Sequence, residues 1–167
     1  PAGGIDYFVP PRGFAQLRYV FGRDPALFLP ALAQRAPRLV HAHFGVEAVY
    51  GMELADKLGV PLVTTFHGFD ATLRSHELLR SRKPTWIQYL LRRAELCRRG
   101  ALLIGVSRFI VEKLAELGVP AARTRLHYIG VDAAAFEDAP DTEERTAEGP
   151  VVLHVARLVE KKGTTYL

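Results

Sequence analysis

Apolar and polar positions along the chain alternate between short solid runs and longer periodic stretches. Leu39 to Gly45 ("LVHAHFG"), Pro61 to Phe66 ("PLVTTF"), Ala101 to Ser107 ("ALLIGVS"), Thr124 to Ile129 ("TRLHYI") and Val151 to Ala156 ("VVLHVA") are apolar runs of strand length. Val46 to Leu58, Thr85 to Arg99 and Arg108 to Leu117 carry apolar residues at helical spacing between them. "KLGVPLV" and "ELGVPAA" repeat one punctuation: Gly59 or Gly118 ends a helix, and Pro61 or Pro120 prevents its continuation. The stretch before Pro37 reads as helical, with Pro25 opening its second helix. Strands separated by helices predict an α/β fold, parallel βαβ units in an open, doubly wound, Rossmann-like sheet.

Length and charge divide that pattern. The 167 residues allow one domain, or one domain and the start of another. Between Phe136 and Pro150, Glu137, Asp138, Asp141, Glu143, Glu144 and Glu148 face only Arg145, the composition of a solvated linker. The expected organisation is a first domain over 1–131, an acidic linker over 132–149 and the beginning of a second domain over 150–167. The chain opens on Pro1 and stops in mid-pattern, so a piece of a longer protein is expected. No run approaches the ~18 apolar residues of a membrane span. Cys97, the one cysteine, excludes an internal disulfide and a cysteine-rich zinc site, which fits a cytoplasmic chain.

Ligands of open α/β sheets sit outside the carboxyl ends of the strands. Those ends carry His43-Phe44-Gly45, His67-Gly68-Phe69-Asp70, Ser107-Arg108, Gly130-Val131-Asp132 and Arg157, a pattern that suits a polar substrate. His43, Gly45, Gly68, Asp70 and Ser107 are therefore candidates for the cleft. Asp70 has two readings, orienting the His67 region or binding hydroxyls, and capping the helix after it. Ser107 likewise caps the helix from Arg108 or touches phosphate. Asp132 is expected to shape the hinge. His41 is expected to pack, and His127 and His154 to be satisfied core residues. In "HVARLVEKKG", Arg157, Lys162 and a helix opened by Gly163 would converge on a polyanion such as a diphosphate, the alternative being a plain surface Arg and Lys.

The pieces "HAHFG", "TTFHGFD", "GVSRF", "IGVD" and "ARLVEKKG", in this order, resemble the family-4 retaining glycosyltransferases of the GT-B fold, especially the bacterial exopolysaccharide and colanic-acid type. Ala156 stands where that pattern has its first glycine. The resemblance implies two Rossmann-like domains with a nucleotide-sugar donor and a glycan or lipid-linked acceptor between them. It implies His67 as the catalytic residue beside the transferred sugar, and Arg157, Lys162 and Gly163 at the donor diphosphate. It implies no cofactor and no metal, the diphosphate being served by side-chain cations. The family's glycine-rich loop would precede Pro1 and its acidic Glu-x7-Glu segment would follow Leu167, so the chain alone is expected to be inactive.

Two other classes compete with this reading. A metal-dependent hydrolase would use His41, His43, His67 and Asp70 as ligands; a Rossmann-like binding module would do no chemistry. Positions 74–99 hold eight basic residues against two acidic ones, a balance of +6 where the whole chain has +4. Trp86, Ile87, Leu90, Leu91, Ala94 and Cys97 form the expected core face of its helix. The basic face suits peripheral contact with an anionic membrane, on the cytoplasmic side. Nothing accompanies it that would read nucleic acid.

Overall fold

Four of the apolar runs become strands of one sheet: β1 (Val40–His43), β2 (Leu62–Phe66), β3 (Leu102–Gly105) and β4 (Thr124–Leu126). They are all parallel and lie in the order β1-β2-β3-β4. The computed structural model describes residues 13–136 and 153–166. The chain divides into two compact units, 1–130 and 131–167.

In the first unit, α1 (Phe14–Gly22), a 3-10 turn (Pro25–Leu27) and α2 (Leu29–Ala33) precede β1. Pro25 opens the turn rather than an α-helix, and the Asp24 carboxylate caps it by accepting from the Ala26 N–H at 2.9 Å. The crossovers are α3 (Gly45–Leu58) from β1 to β2, α4 (Phe69–Thr72), α5 (Ser75–Arg80) and α6 (Pro84–Arg99) from β2 to β3, and α7 (Arg108–Glu116) from β3 to β4. Gly59 and Gly118 take positive φ, 65° and 83°, as their place in the two repeated punctuations requires. Right-handed crossovers that step one way across a sheet put their helices on one face. Ala42, Thr64 and Leu103 align across β1, β2 and β3 and are buried. One residue on, His43, Thr65 and Ile104 align in the same way and point to the opposite face.

The core joins Ala42, Phe66 and Leu103 of the sheet to Val46, Val49 and Met52 of α3, Tyr89, Leu96 and Cys97 of α6, and Ile110 and Leu114 of α7. The phase of α6 differs from the expected one. Tyr89 and Leu96 are fully buried, whereas Leu91 is 71% exposed and Ala94 also faces solvent. Trp86, Tyr89, Leu90, Arg93, Leu96 and Cys97 hold the i, i+3, i+4 stripe, and Leu91 lies about 100° away from Leu90 around the wheel.

The same helix consumes much of its own charge. Arg92, 15% exposed, pairs with Glu53 of α3 and with Glu95, while Arg99 pairs with Glu95 and with Asp56 of α3. Hydrogen bonds from Arg92, and then Arg99, outweigh partial burial and lower the Glu95 carboxyl to about 2. A folded pKa below the unfolded one adds stability above the unfolded value and loses it as pH falls toward the folded one. Glu95→Gln should therefore cost about 1 kcal/mol at pH 7. Thermal melts of both proteins should converge as the pH drops from about 5 to about 2.

In the second unit, the expected fifth strand does not form over Leu153–Arg157, where Leu153 and Val155 are more than 80% exposed. An isolated strand leaves its N–H and C=O groups without ladder partners, and none is present here among the described residues. Positions 151–152, and 137–149 of the expected linker, lie outside the described residues. A 3-10 turn, Glu160–Lys162, ends on Gly163 at φ 68°, so Gly163 closes a turn; what it opens is a second 3-10 turn, Thr164–Tyr166.

Candidate functional site

The carboxyl ends of β1 and β2 are tied together by one carboxylate. Asp70, in the first turn of α4, is fully buried. One of its oxygens accepts from the Gly45 N–H at 2.8 Å, the other from the N–H groups of Gly68 and His67 at 2.9 and 3.2 Å. Burial raises its pKa, opposed by those same N–H groups, which favour the charged form. The Tyr89 hydroxyl, whose own pKa burial pushes up, donates to the Asp70 carbonyl. Asp70 thus cinches the turn after β1 to the turn after β2.

Both turns need unusual backbone. Gly68 sits at φ 146°, which a side chain rarely adopts. Phe44 takes φ 72° although it has a side chain, at a cost of about 1–3 kcal/mol. Its ring is repaid by contacts: 4.5 Å to His67 and 5.3 Å to Phe69, which stacks on Trp86 in turn. Its N–H donates to the Thr65 carbonyl at 2.8 Å, a further link between the two strand ends. Gly45 is required for space, because a Cβ there would lie 2.7 Å from the Phe66 ring and 2.8 Å from the Tyr89 ring. Gly45→Ala should cost about 1–3 kcal/mol, read as a lower urea midpoint.

This geometry brings three histidines into one row. His43 Nδ1 and His67 Nε2 are 2.9 Å apart, and His41 Nε2 hydrogen-bonds Thr65 Oγ1 at 2.8 Å. The His41 and His43 rings lie 4.6 Å apart, centroid to centroid. Partial burial, and then the neighbouring His43 and His67, hold His41 below the usual imidazole pKa. These residues line one side of a cleft of about 360 Å³, with Ile104, Val106, His127, Tyr128, Ile129 and Gly130 completing it.

Of the expected cleft residues, His43 and His67 line this cavity, while Gly45, Gly68, Asp70 and Ser107 do not. Ser107 caps α7, its hydroxyl accepting from the Ile110 N–H at 3.3 Å. His41 is exposed in the cleft rather than packed. His127 is a cleft residue too, not a core one, because β4 stops at Leu126 and leaves it beyond the strand. Its place in line with the other strand ends was the available signal. His154, also expected in a core, is exposed and bonds Thr164 Oγ1 at 3.1 Å. The ligand set a hydrolase would use does not assemble, since Asp70 is spent on backbone N–H groups. Among the described residues no group of three or more His, Cys, Asp or Glu side chains is placed to hold a metal ion. Arg157 and Lys162, in the second unit, are exposed and have no side-chain partner among the described residues.

Residues 2–135 match the family described as Glycosyltransferase Family 4, about four-fifths of the chain. The chain belongs to glycosyltransferase family 4. It is 34% identical over 126 residues to a protein of Escherichia coli K12 named as a colanic acid biosynthesis glycosyltransferase, WcaL, and 33% identical over 129 residues to that of Salmonella typhimurium. Each match covers 73% of this chain and 28% of the relative. It is 33% identical over 140 residues to an alpha-D-kanosaminyltransferase of Streptomyces kanamyceticus, covering 76% of this chain and 36% of that one. The chain therefore spans about a third of the length of these relatives, or less. The family-4 match includes the histidine row and the Asp70 tie, and stops short of Arg157 and Lys162.

Proposed function

We propose that the protein is a retaining, metal-independent glycosyltransferase. It moves a sugar from a UDP- or GDP-sugar to a glycan or lipid-linked acceptor in the making of a cell-surface polysaccharide. The observation that carries this is the position of His67, in a cleft at the carboxyl end of β2, in a chain of family 4. The bond from the anomeric carbon to the β-phosphate oxygen breaks while the bond to the acceptor oxygen forms on the same face. The acceptor's proton leaves on the departing phosphate, the base nearest to that face. Positive charge grows on the sugar beside His67, and negative charge on the diphosphate, which Arg157 and Lys162 stabilise. Side-chain cations at the diphosphate make a metal or other cofactor unnecessary.

The same reading places the protein in the cytoplasm, at the inner face of the membrane. Arg74, Arg80, Arg82 and Arg98 make no ion pair among the described residues, and Leu79, next to Arg80 in the sequence, is 54% exposed. No helix of the described residues is long and apolar enough to cross a membrane, so contact through this basic stretch would be peripheral.

Donor hydrolysis and transfer by the full-length protein, screened over UDP- and GDP-sugars with EDTA present, test the assignment. Turnover in EDTA that falls at least 100-fold in His67→Ala is the expected result. Activity that EDTA abolishes and zinc restores, or tight donor binding without turnover, would overturn it in favour of a hydrolase or a binding module.

A further inference from the structure

We infer that His43 positions His67, and that His67 gives its Nε2–H to His43 Nδ1 and turns the lone pair of its own Nδ1 toward the sugar. This rests on the proposed transfer reaction for its purpose, though not for its geometry. The two nitrogens are 2.9 Å apart, so one of them must hold the proton and the other must accept it. His67 Nδ1 has no protein partner among the described residues and is the nitrogen left for a ligand. Neutral imidazole carries one donor and one acceptor, so the proton on Nε2 fixes Nδ1 as acceptor.

The chemistry chooses between the two arrangements. A reaction that builds positive charge on the sugar is helped by a lone pair facing it and hindered by an N–H dipole facing it. A lone pair at Nδ1 requires the proton at Nε2, and His43 is the group that accepts it there. The rest of the surroundings leave His43 to do this alone. His41 is committed to Thr65 Oγ1, Asp70 to the backbone of the two turns, and His127 and Tyr128 to the cleft lining without a bond to His67. Phe44, its ring tilted against that of His67 at 4.5 Å, restrains the imidazole from turning over. The sequence "HAHFG" thereby supplies the hydrogen-bond acceptor and the clamp for a histidine 24 residues further on.

Imidazole ¹⁵N–¹H correlation spectra of the full-length protein, labelled at histidine, read the tautomer without any turnover. They are recorded near pH 9, well above the ordinary imidazole pKa of about 6.5, with His67→Gln to assign the signal. A single Nε2–H form at His67 is expected in the native protein. His43→Leu should release it into a mixture of both tautomers and lower kcat about tenfold with little change in KM. His43→Asn, whose side-chain oxygen can stand where Nδ1 stood, should restore both. A native His67 protonated on Nδ1, or a tautomer unchanged in His43→Leu, overturns the inference. Should His43→Leu not fold, the native spectrum alone decides. Absence of turnover with every donor would sink the transferase reading and leave the spectroscopic result standing.

Discussion

Asp70→Ala should destabilise the first unit by about 3–5 kcal/mol, the largest stability effect expected of any single change outside the apolar core. Three backbone N–H groups lose their acceptor at once, and two of them, at Gly45 and Gly68, flank turns whose backbone angles are already costly. Asp70→Asn is expected to be nearly as damaging. An amide offers one acceptor oxygen and would set its NH₂ against one of the N–H groups it has to satisfy. Urea unfolding followed by circular dichroism measures the loss, and a fall of less than about 1 kcal/mol for Asp70→Ala would refute the cinch. Glu77→Gln supplies the comparison, because its carboxylate accepts from a single exposed N–H, that of Arg74.

The acidity of Asp70 adds a second, independent sign. Its folded pKa is raised by burial, so the folded state binds this proton more tightly than the unfolded chain does. The carboxylate's burial therefore weighs against folding at neutral pH, and that burden lightens as the pH falls through the folded pKa. Glu95 moves the other way: its contribution is lost as the pH falls toward its folded value of about 2. Acid melts of Glu95→Gln should accordingly show the Asp70 contribution with less interference than melts of the native chain.

Arg157→Ala should lower kcat of the full-length protein by about 100- to 1000-fold, the cost of removing one preorganised donor from a developing oxyanion. Global stability should be untouched, since the guanidinium is exposed and has no side-chain partner among the described residues. Lys162→Ala should act in the same direction and less than additively if both cations grip one diphosphate. Arg157→Lys is not a conservative control, because a point charge replaces a bidentate fork. A variant that keeps native kcat while KM for the donor rises would reassign Arg157 to ground-state binding.

How these residues could be read in advance depended on the reach of their contacts. That His67 lines a cleft was legible because an apolar, β-branched run stops on it, and strand ends in this fold class meet ligands. For Asp70, orienting the His67 region was one of the two readings, and its bonds to the His67 and Gly68 N–H groups agree with it; its tie to the Gly45 N–H, 25 residues earlier, could not be read from the sequence. Phe44 gave no sign of its left-handed backbone, which only the contacts of its ring to His67 and Phe69 repay. The error at α6 was one of phase, as Leu90 and Leu91 are equally apolar and only α3 and the sheet choose between them. His127 was misjudged by the length of β4, which ends three residues before Ile129. The run from Leu153 was misjudged by treating a strand as a property of its own sequence rather than of its neighbours.

The amides of Gly45, His67 and Gly68 share one acceptor group, and hydrogen exchange should not see them as three sites. Whatever fluctuation frees one from the carboxylate frees the others, so their deuterium uptake should follow a common opening free energy and a common urea dependence. The ends of β1 and β2, with His43 and His67, would then breathe together, and the wall of the cleft would open and close as a unit.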